Sequence, residues 1–297
     1  MSIPVWTPDG GNLVVHADNA RYLATLPDES FTMIYVDPPF NTGRAQRRQQ
    51  TTMVRSAVGA GDRVGFKGMS YSTVKGMLAS YDDDFEDYWD FLAPRLVEAW
   101  RLLTDDGTLY LHLDYREVHY AKVMLDALFG RDSFLNEIIW AYDYGARSKR
   151  KWPTKHDNIL VYVKNPSRYY FNSAEVDREP YMAPGLVTPE KVALGKLPTD
   201  VWWHTIVSPT GKEKTGYPTQ KPEGLLRRAV AASSREGDWV LDFFAGSGTL
   251  GAVAGKLGRR FVCVDENPQA IDVMSKRLAP FCDVPAPEPA EVPATKG

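Results

Sequence analysis

Two short runs in this chain carry residue types that can do chemistry. Asp37-Pro38-Pro39-Phe40 follows the apolar run Phe31-Thr32-Met33-Ile34-Tyr35-Val36, and Phe244-Ala245-Gly246-Ser247-Gly248-Thr249 closely follows Trp239-Val240-Leu241-Asp242. Each has the form of a strand ending in a loop, the place where open α/β sheets hold ligands. An ionised Asp37 can only accept hydrogen bonds. Proline has no N–H, so Pro38 and Pro39 present carbonyls without a competing donor. A planar group with an exocyclic NH2 could give one proton to the Asp37 carboxylate and one to the Pro38 carbonyl while stacking on Phe40. A Pro-Pro turn after a buried strand is the plain alternative for the same four residues.

The second run, Gly246-Ser247-Gly248-Thr249-Leu250-Gly251, satisfies the pattern G-x-G-x-x-G, and an acid closes the next apolar run, Phe261-Val262-Cys263-Val264-Asp265. Glycines let a ligand approach the backbone, and the acid can bind ribose hydroxyls. A nicotinamide enzyme would need the same residues, and so would a tight strand-to-helix turn. Asp242 tips the balance. A carboxylate just before the turn would repel a pyrophosphate but welcome the ammonium of a methionine moiety.

These runs sit in an alternation of strand-like and helical segments, as in an α/β sheet. The patterns predict strands at 13–16, 31–36, 108–113, 137–142, 158–164, 239–242 and 261–265. They predict helices at 19–26, 84–103, 116–129, 222–234, 249–257 and 268–278. Strands 137–142 and 158–164 have no helix between them and suit an antiparallel hairpin. Asp82, Asp83 and Asp84 form an acidic helix start of the kind the helix dipole favours. Residues 41–80 and 171–216 fit no regular element; a loop as long as the first is functional or mobile in a compact domain. The Pro/Ala/Glu-rich stretch 280–297 is expected to be disordered.

Composition sets outer bounds. With 297 residues the chain suits one large domain with an insertion. No apolar stretch approaches a membrane span, and Met1-Ser2-Ile3-Pro4 does not have the form of a secretory signal. Cys263 and Cys282 are the only cysteines, which fits a reducing cytoplasm rather than a disulfide framework. The five histidines lack metal-ligand spacing, so no metal is expected. Net charge is −3, yet cations cluster. Arg44, Arg47, Arg48, Arg55, Arg63 and Lys67 share their stretch with one acid, Asp62, and Arg147, Lys149, Arg150, Lys151 and Lys155 share theirs with none. Such runs can track phosphates, although a solvated loop would also carry them.

From residue 12 to about 279 the chain resembles the β-class amino-DNA methyltransferases, including the modification subunits of restriction systems. The resemblance rests on the two runs, on their order with the catalytic half first, and on Tyr217-Pro218-Thr219-Gln220-Lys221-Pro222-Glu223, similar to the family's cofactor-carboxylate segment. Lys155-His156-Asp157-Asn158-Ile159-Leu160 is more loosely similar to a segment that packs beside the flipped base. The fold implied is a Rossmann-like methyltransferase sheet, mostly parallel with an antiparallel hairpin and with circularly permuted motif order. One methyltransferase domain would span 1–279: a catalytic half at about 12–164, a small target-recognition insertion at about 171–216 and a cofactor half at about 217–279, before the tail 280–297.

The resemblance implies S-adenosylmethionine as cofactor. Asp242 and the turn Phe244, Ala245, Gly246, Ser247, Gly248, Thr249 would hold its methionine part, and Phe244 would pack near the methyl. Asp265, or less favourably Glu266, would bind the ribose. Asp18 would contact the adenine, act as a helix N-cap, or both. Thr219, Gln220 and Lys221 would sit near the methionine carboxylate. Asp37, Pro38, Pro39 and Phe40 would hold the flipped base. The partner implied is double-stranded DNA, touched by Arg44, Arg47, Arg48, Arg55, Arg147, Lys149, Arg150 and Lys151; a homodimer is left open, no membrane is involved, and the location is cytoplasmic at the nucleoid. Asp37 as first residue of its run favours adenine N6 over cytosine N4, and C5-cytosine chemistry would need a cysteine nucleophile that neither cysteine supplies. A nicotinamide oxidoreductase leaves residues 37–40 unexplained. An RNA or protein methyltransferase does not fit the motif order, and a non-catalytic DNA-binding subunit would not need both runs intact.

Overall fold

Near-continuous apolar strands need cover on both faces, and this chain supplies it with helices between them. The computed structural model describes residues 4–40, 83–145, 147–208 and 210–282, with 83–87 through their backbone alone. In chain order the elements are β1 (Leu13–His16), α1 (Asn19–Leu23), β2 (Phe31–Val36), α2 (Asp83–Leu102), β3 (Leu103–Leu113), α3 (Val118–Phe129), β4 (Phe134–Ala141), β5 (His156–Val163), α4 (Pro189–Leu194), β6 (Val201–Trp203), α5 (Glu223–Ser233), β7 (Trp239–Asp242), α6 (Thr249–Lys256), β8 (Arg260–Asp265) and α7 (Pro268–Leu278).

The strands form one sheet in the order β1-β8-β7-β2-β3-β5-β4-β6. Pairing is parallel from β1 to β3. It is antiparallel for β3 with β5 and for β5 with β4, and parallel again for β4 with β6. The expected mixed sheet, mostly parallel with one antiparallel hairpin, is therefore present. Alternate strand residues feed two cores. Ile34 and Val36 pack with Leu92, Leu96 and Leu125 on the α1–α2–α3 face, whereas Met33 and Tyr35 pack with Leu226, Val230 and Ile271 on the α5–α6–α7 face.

This order fixes the place of the site. β2 and β7 are parallel neighbours, with Ile34 opposite Leu241 and Tyr35 opposite Asp242. From β2 the chain goes on to β3 on one side, and from β7 to β8 on the other. The two loops therefore part company and leave a crevice between them, the switch point at which open sheets bind ligands. The two chemical runs, far apart in sequence, leave adjacent strand ends.

Some elements differ from the sequence expectations. Residues 171–216 hold regular structure after all: α4, the edge strand β6 and a 3-10 turn at Pro184–Leu186. Six and three residues are too short to show a period, and β6 exists because Trp202 pairs with Trp140 of β4. α1 stops at Leu23, after which the backbone turns through bonds from Thr25 and Leu26 to the carbonyls of Tyr22 and Leu23. β3 begins at Leu103, which was expected to close the preceding helix. The loop 41–80, Asp82 with the side chains of Asp83 and Asp84, and the tail beyond 282 lie outside the described residues. Among the described residues no helix is long and apolar enough to cross a membrane.

Candidate active site

β7 delivers Asp242 and then the glycine turn. Asp242 is 4% exposed, and its Oδ1 accepts the Phe244 N–H at 3.0 Å, which starts the bend. The turn is clamped from β8: Asp265 accepts the Gly246 N–H on Oδ2 and the Asn267 N–H on Oδ1, both at 2.8 Å. Gly246 has φ +50°, and a Cβ there would lie 3.2 Å from the Tyr217 ring. Gly248 has φ +70°, and a Cβ would lie 2.8 Å from Met274 Cγ. The two glycines thus serve different ends. Gly246 keeps the cleft wall thin, and Gly248 lets α6 seat against α7. Gly248 is accordingly absent from the cleft lining.

A buttress that sequence reasoning missed lies behind the turn. Arg277 of α7 donates to the Ser247 carbonyl (3.2 Å), the Ser247 hydroxyl (3.2 Å) and the Thr249 hydroxyl (3.0 Å), and its other nitrogen donates to Glu223 at 3.0 Å. Lys256 donates to the second oxygen of Glu223 at 2.6 Å. Glu223 belongs to the Pro-Thr-Gln-Lys-Pro-Glu segment and could have been marked there. Arg277 carries no local signal.

β2 delivers Asp37 and Phe40. The Asp37 carboxylate is paired: Lys221 Nζ donates to its Oδ2 at 2.5 Å, with both side chains largely buried. The same ammonium stands 5.2 Å from the Phe40 ring centroid. Lys221 thus meets the Asp37–Phe40 run, whereas the sequence expectation set it near a methionine carboxylate. Thr219, two residues earlier, has φ +63°, a conformation that a β-branched residue adopts only under strain. Gln220 is knitted into its own loop: Oε1 accepts from the Thr215 N–H and hydroxyl, and Nε2 donates to the Glu213 carbonyl.

Between these walls lies a cleft of about 520 Å³. Asp37, Pro38, Pro39, Phe40, Thr219, Gln220, Lys221, Asp242, Phe244, Ala245, Gly246, Ser247, Thr249, Asp265 and Glu266 all line it. Asp18 does not; it caps α1 by accepting the Arg21 N–H at 2.9 Å, and its neighbour Asn19 reaches the cleft instead. Phe91 and Arg95 of α2 and Tyr217 and Asn267 also line the cleft and were not foreseen. Burial pushes the Asp242 carboxyl well above its ordinary range, with Asp37 and Asp265 adding to the effect. Burial raises Asp265 too, against the backbone donors of Asn267, Gly246 and Glu266 and the charge of His16, which favour its ionised form. Among the described residues the cleft therefore carries four acidic side chains, Asp37, Asp242, Asp265 and Glu266, against the two cations Lys221 and Arg95, a lining suited to a ligand that brings positive charge.

A second cavity of about 550 Å³ shares Phe40, Tyr217, Thr219, Gln220 and Lys221 with the first. Its other walls are aromatic, with Tyr115, Trp140, Tyr142 and Tyr144, and its polar groups include Asp114 and Asp157. A buried chain backs it: the Tyr35 hydroxyl lies 2.6 Å from His112 Nδ1, His112 Nε2 lies 3.2 Å from Asp157 Oδ2, and the Tyr142 hydroxyl donates to Asp157 Oδ1 at 3.1 Å. Burial pushes the Asp157 carboxyl up, but the hydrogen bond and charge of His112, with Lys221 and Tyr142, outweigh it and hold the group below its ordinary value. His112 showed no spacing that marked it in the sequence. Phe40 and Lys221 line both cavities, and Asp37, which lines the first, is tied to that shared wall by its pair with Lys221.

Of the cations expected to touch phosphate, Arg147, Lys149, Arg150 and Lys151 are exposed on the β4–β5 loop. Arg44, Arg47, Arg48 and Arg55 lie outside the described residues.

Residues 31–276 match the family model described as DNA methylase. The Type II methyltransferase M.HpaI of Haemophilus parainfluenzae is 31% identical over 258 residues, covering 87% of this chain and 71% of its own length. The DNA adenine methyltransferase YhdJ of Escherichia coli (strain K12) is 28% identical over 291 residues, covering 95% of this chain and 88% of its own. Among solved structures, the PvuII DNA methyltransferase (cytosine-N4-specific) superposes with a TM-score of 0.63 at 15% identity, over 92% of this chain and 87% of its own, a likeness of fold.

Proposed function

This chain belongs to the DNA methylase family, and on that premise we propose that it moves a methyl group from S-adenosylmethionine to the N6 amine of an adenine flipped out of duplex DNA. The observation that carries the reading is the junction of the two cavities. The acidic cleft beside the glycine turn suits the cationic cofactor, the aromatic cavity suits a base, and the shared wall holds Phe40 and Lys221, the latter paired with Asp37 of the cleft. Adenine is favoured because Asp37 opens its run and because YhdJ, named as an adenine methyltransferase, aligns over 95% of this chain.

A base in a duplex cannot reach such a junction without leaving the stack. Once there it stacks on Phe40 and gives its amino protons to Asp37 and the Pro38 carbonyl. These bonds leave the nitrogen lone pair directed at the sulfonium methyl. S-adenosylmethionine held by the glycine turn and Asp265 would supply the methyl to that nitrogen, the carbon–sulfur electron pair staying on sulfur and the extra proton of the methylated amine passing to water. Positioning and fixed charge supply the rate. Lys221 offsets the Asp37 charge and holds the carboxylate in place, and the amine engages Oδ1, which has no partner among the described residues. The segment 171–216 and the cations of the β4–β5 loop would make the remaining DNA contacts, with the enzyme working at the nucleoid.

Single-molecule sequencing of DNA from cells that express this chain alone tests the proposal. N6-methyladenine at one sequence context is the expected result. N4-methylcytosine would replace the base assignment, and unmodified DNA would reject the activity of the lone chain.

The cofactor half has its own test. Burial pushes the Asp242 carboxyl well above its ordinary range in the unliganded protein, because ionising a buried carboxyl is costly. A cationic methionine moiety beside it favours the ionised form, so uptake of S-adenosylmethionine would pull the carboxyl back toward its ordinary range. Affinity should fall as pH is lowered through the raised Asp242 range and level off above it. The same shift lowers the stability of the empty fold as pH rises from the ordinary carboxyl range, because the folded state then binds more protons than the unfolded one. Asp242→Asn should therefore raise the melting temperature of the empty protein at neutral pH, weaken cofactor binding and flatten its pH dependence. Calorimetric titrations across pH, with thermal melts of both proteins, measure all three; a wild-type affinity independent of pH would count against the assignment.

A further inference from the structure

We propose that the loop joining β4 to β5 is a wedge that enters the duplex, with Trp152 filling the space in the stack that the flipped base leaves. This rests on the reading of the chain as an enzyme acting on a flipped base. The strand registers place the loop. Leu113, the last residue of β3, pairs with Asn158 of β5, and Ala141, the last of β4, pairs with His156. The loop therefore leaves the sheet at the edge where β2 delivers Asp37. It also forms part of the aromatic cavity, to which Tyr144, Gly145 and Thr154 contribute.

The loop has an internal frame. The Tyr142 N–H donates to the Lys155 carbonyl at 3.0 Å. Lys155 Nζ donates to the carbonyls of Asp143 at 2.9 Å and Gly145 at 3.3 Å. The Ser148 hydroxyl accepts the N–H groups of Arg150 and Lys151, each at 3.1 Å. On this frame Trp152 is 93% exposed. Single exposed apolar residues are ordinary, but this one has three companions that point to one occupant. Pro153 follows it and restricts the backbone on both sides of the bond. The stretch 147–155 carries five cations and no acid, which suits a polyanion and discourages an apolar protein surface. The indole has the flat shape and size of a base, and its loop lines the cavity meant for the extruded one. Apolar side chains inserted between base steps are an established way of offsetting the cost of unstacking.

The test uses an oligonucleotide duplex carrying the site that sequencing identifies, in two forms: fully paired, and with an abasic residue opposite the target base. The second form has no pair to break, so the wedge matters less. For Trp152→Ala, kcat/KM should fall about 10- to 100-fold on the paired duplex, the range that loss of one aromatic stack gives. On the abasic form it should stay within about threefold of wild type, since unpaired targets cost least to extrude. Trp152→Phe, which keeps a ring, should retain most activity on both. Affinity for S-adenosylhomocysteine should not change in either variant, which reports an intact cofactor half. An equal loss on both duplexes, or no loss on the paired one, overturns the wedge. A wild-type protein that methylates neither duplex would instead overturn the methyltransferase reading itself.

Discussion

Asp37→Ala should abolish methyl transfer, lowering kcat at least about a thousandfold, because the variant loses the acceptor that aligns the amine as charge develops on it. The structure adds a second expectation. Lys221 donates to Asp37 at 2.5 Å in a largely buried place, so the alanine leaves an ammonium without its counter-charge at the end of the cleft. That charge opposes a sulfonium and ignores a neutral thioether. S-adenosylmethionine should therefore bind the variant several times more weakly, while S-adenosylhomocysteine binds nearly as it does to wild type. The double variant Asp37→Ala/Lys221→Met should recover cofactor affinity without recovering transfer. Titration calorimetry with both ligands, beside a tritium-transfer assay, reads these outcomes. Near wild-type turnover by Asp37→Ala would falsify the mechanism, and equal weakening for both ligands would remove the electrostatic part of it.

The next largest effect is expected at the glycine turn. Gly246→Val places a β-branched residue at φ +50° and a Cβ 3.2 Å from the Tyr217 ring. It should eliminate measurable cofactor binding, since both the backbone path and the cleft wall change. Asp265→Ala acts on the same turn from β8. It removes the carboxylate that receives Gly246 and Asn267 and that would receive the ribose. Loss of hydrogen bonds to a charged group costs about 1.5–3 kcal/mol, so the dissociation constant should rise about 10- to 150-fold. Asp265→Asn, which keeps the shape and one acceptor, should fall between. The readout is equilibrium binding of S-adenosylhomocysteine at a pH where the wild type is saturable. Unchanged binding by both Gly246→Val and Asp265→Ala would take the cofactor away from this turn.

Much of this site is legible in the order of the amino acids. β1, β2, β7 and α7 fall on the spans that their apolar patterns predict, and fifteen of the seventeen residues assigned to catalysis and cofactor line one cleft. The exceptions are instructive. Asp18 and Gly248 obey local rules, an N-cap and a left-handed helix start, and each sits a step away from the ligand space. β6 and α4 were illegible because three and six residues are shorter than any period, and β6 is made by its partner strand.

What the sequence by itself determined is local: an apolar run forms a strand, Pro-Pro or a glycine turn ends it, and the side chains at that end take the chemistry their types allow. Strand ends and tight turns depend on a few neighbouring residues, so their signals survive without context. Only the tertiary structure decided which distant groups share a charge or a hydrogen bond. Lys221 meets Asp37 across 184 positions, Arg277 braces Ser247 across 30, and Tyr35, His112 and Asp157 join through three separate strands. No periodicity encodes such pairs. The Tyr35–His112–Asp157 chain exists because the order β2-β3-β5 sets those strands side by side, and the other two because the loop before α5 and the helix α7 pack against the ends of β2 and β7; groups buried together there must satisfy one another.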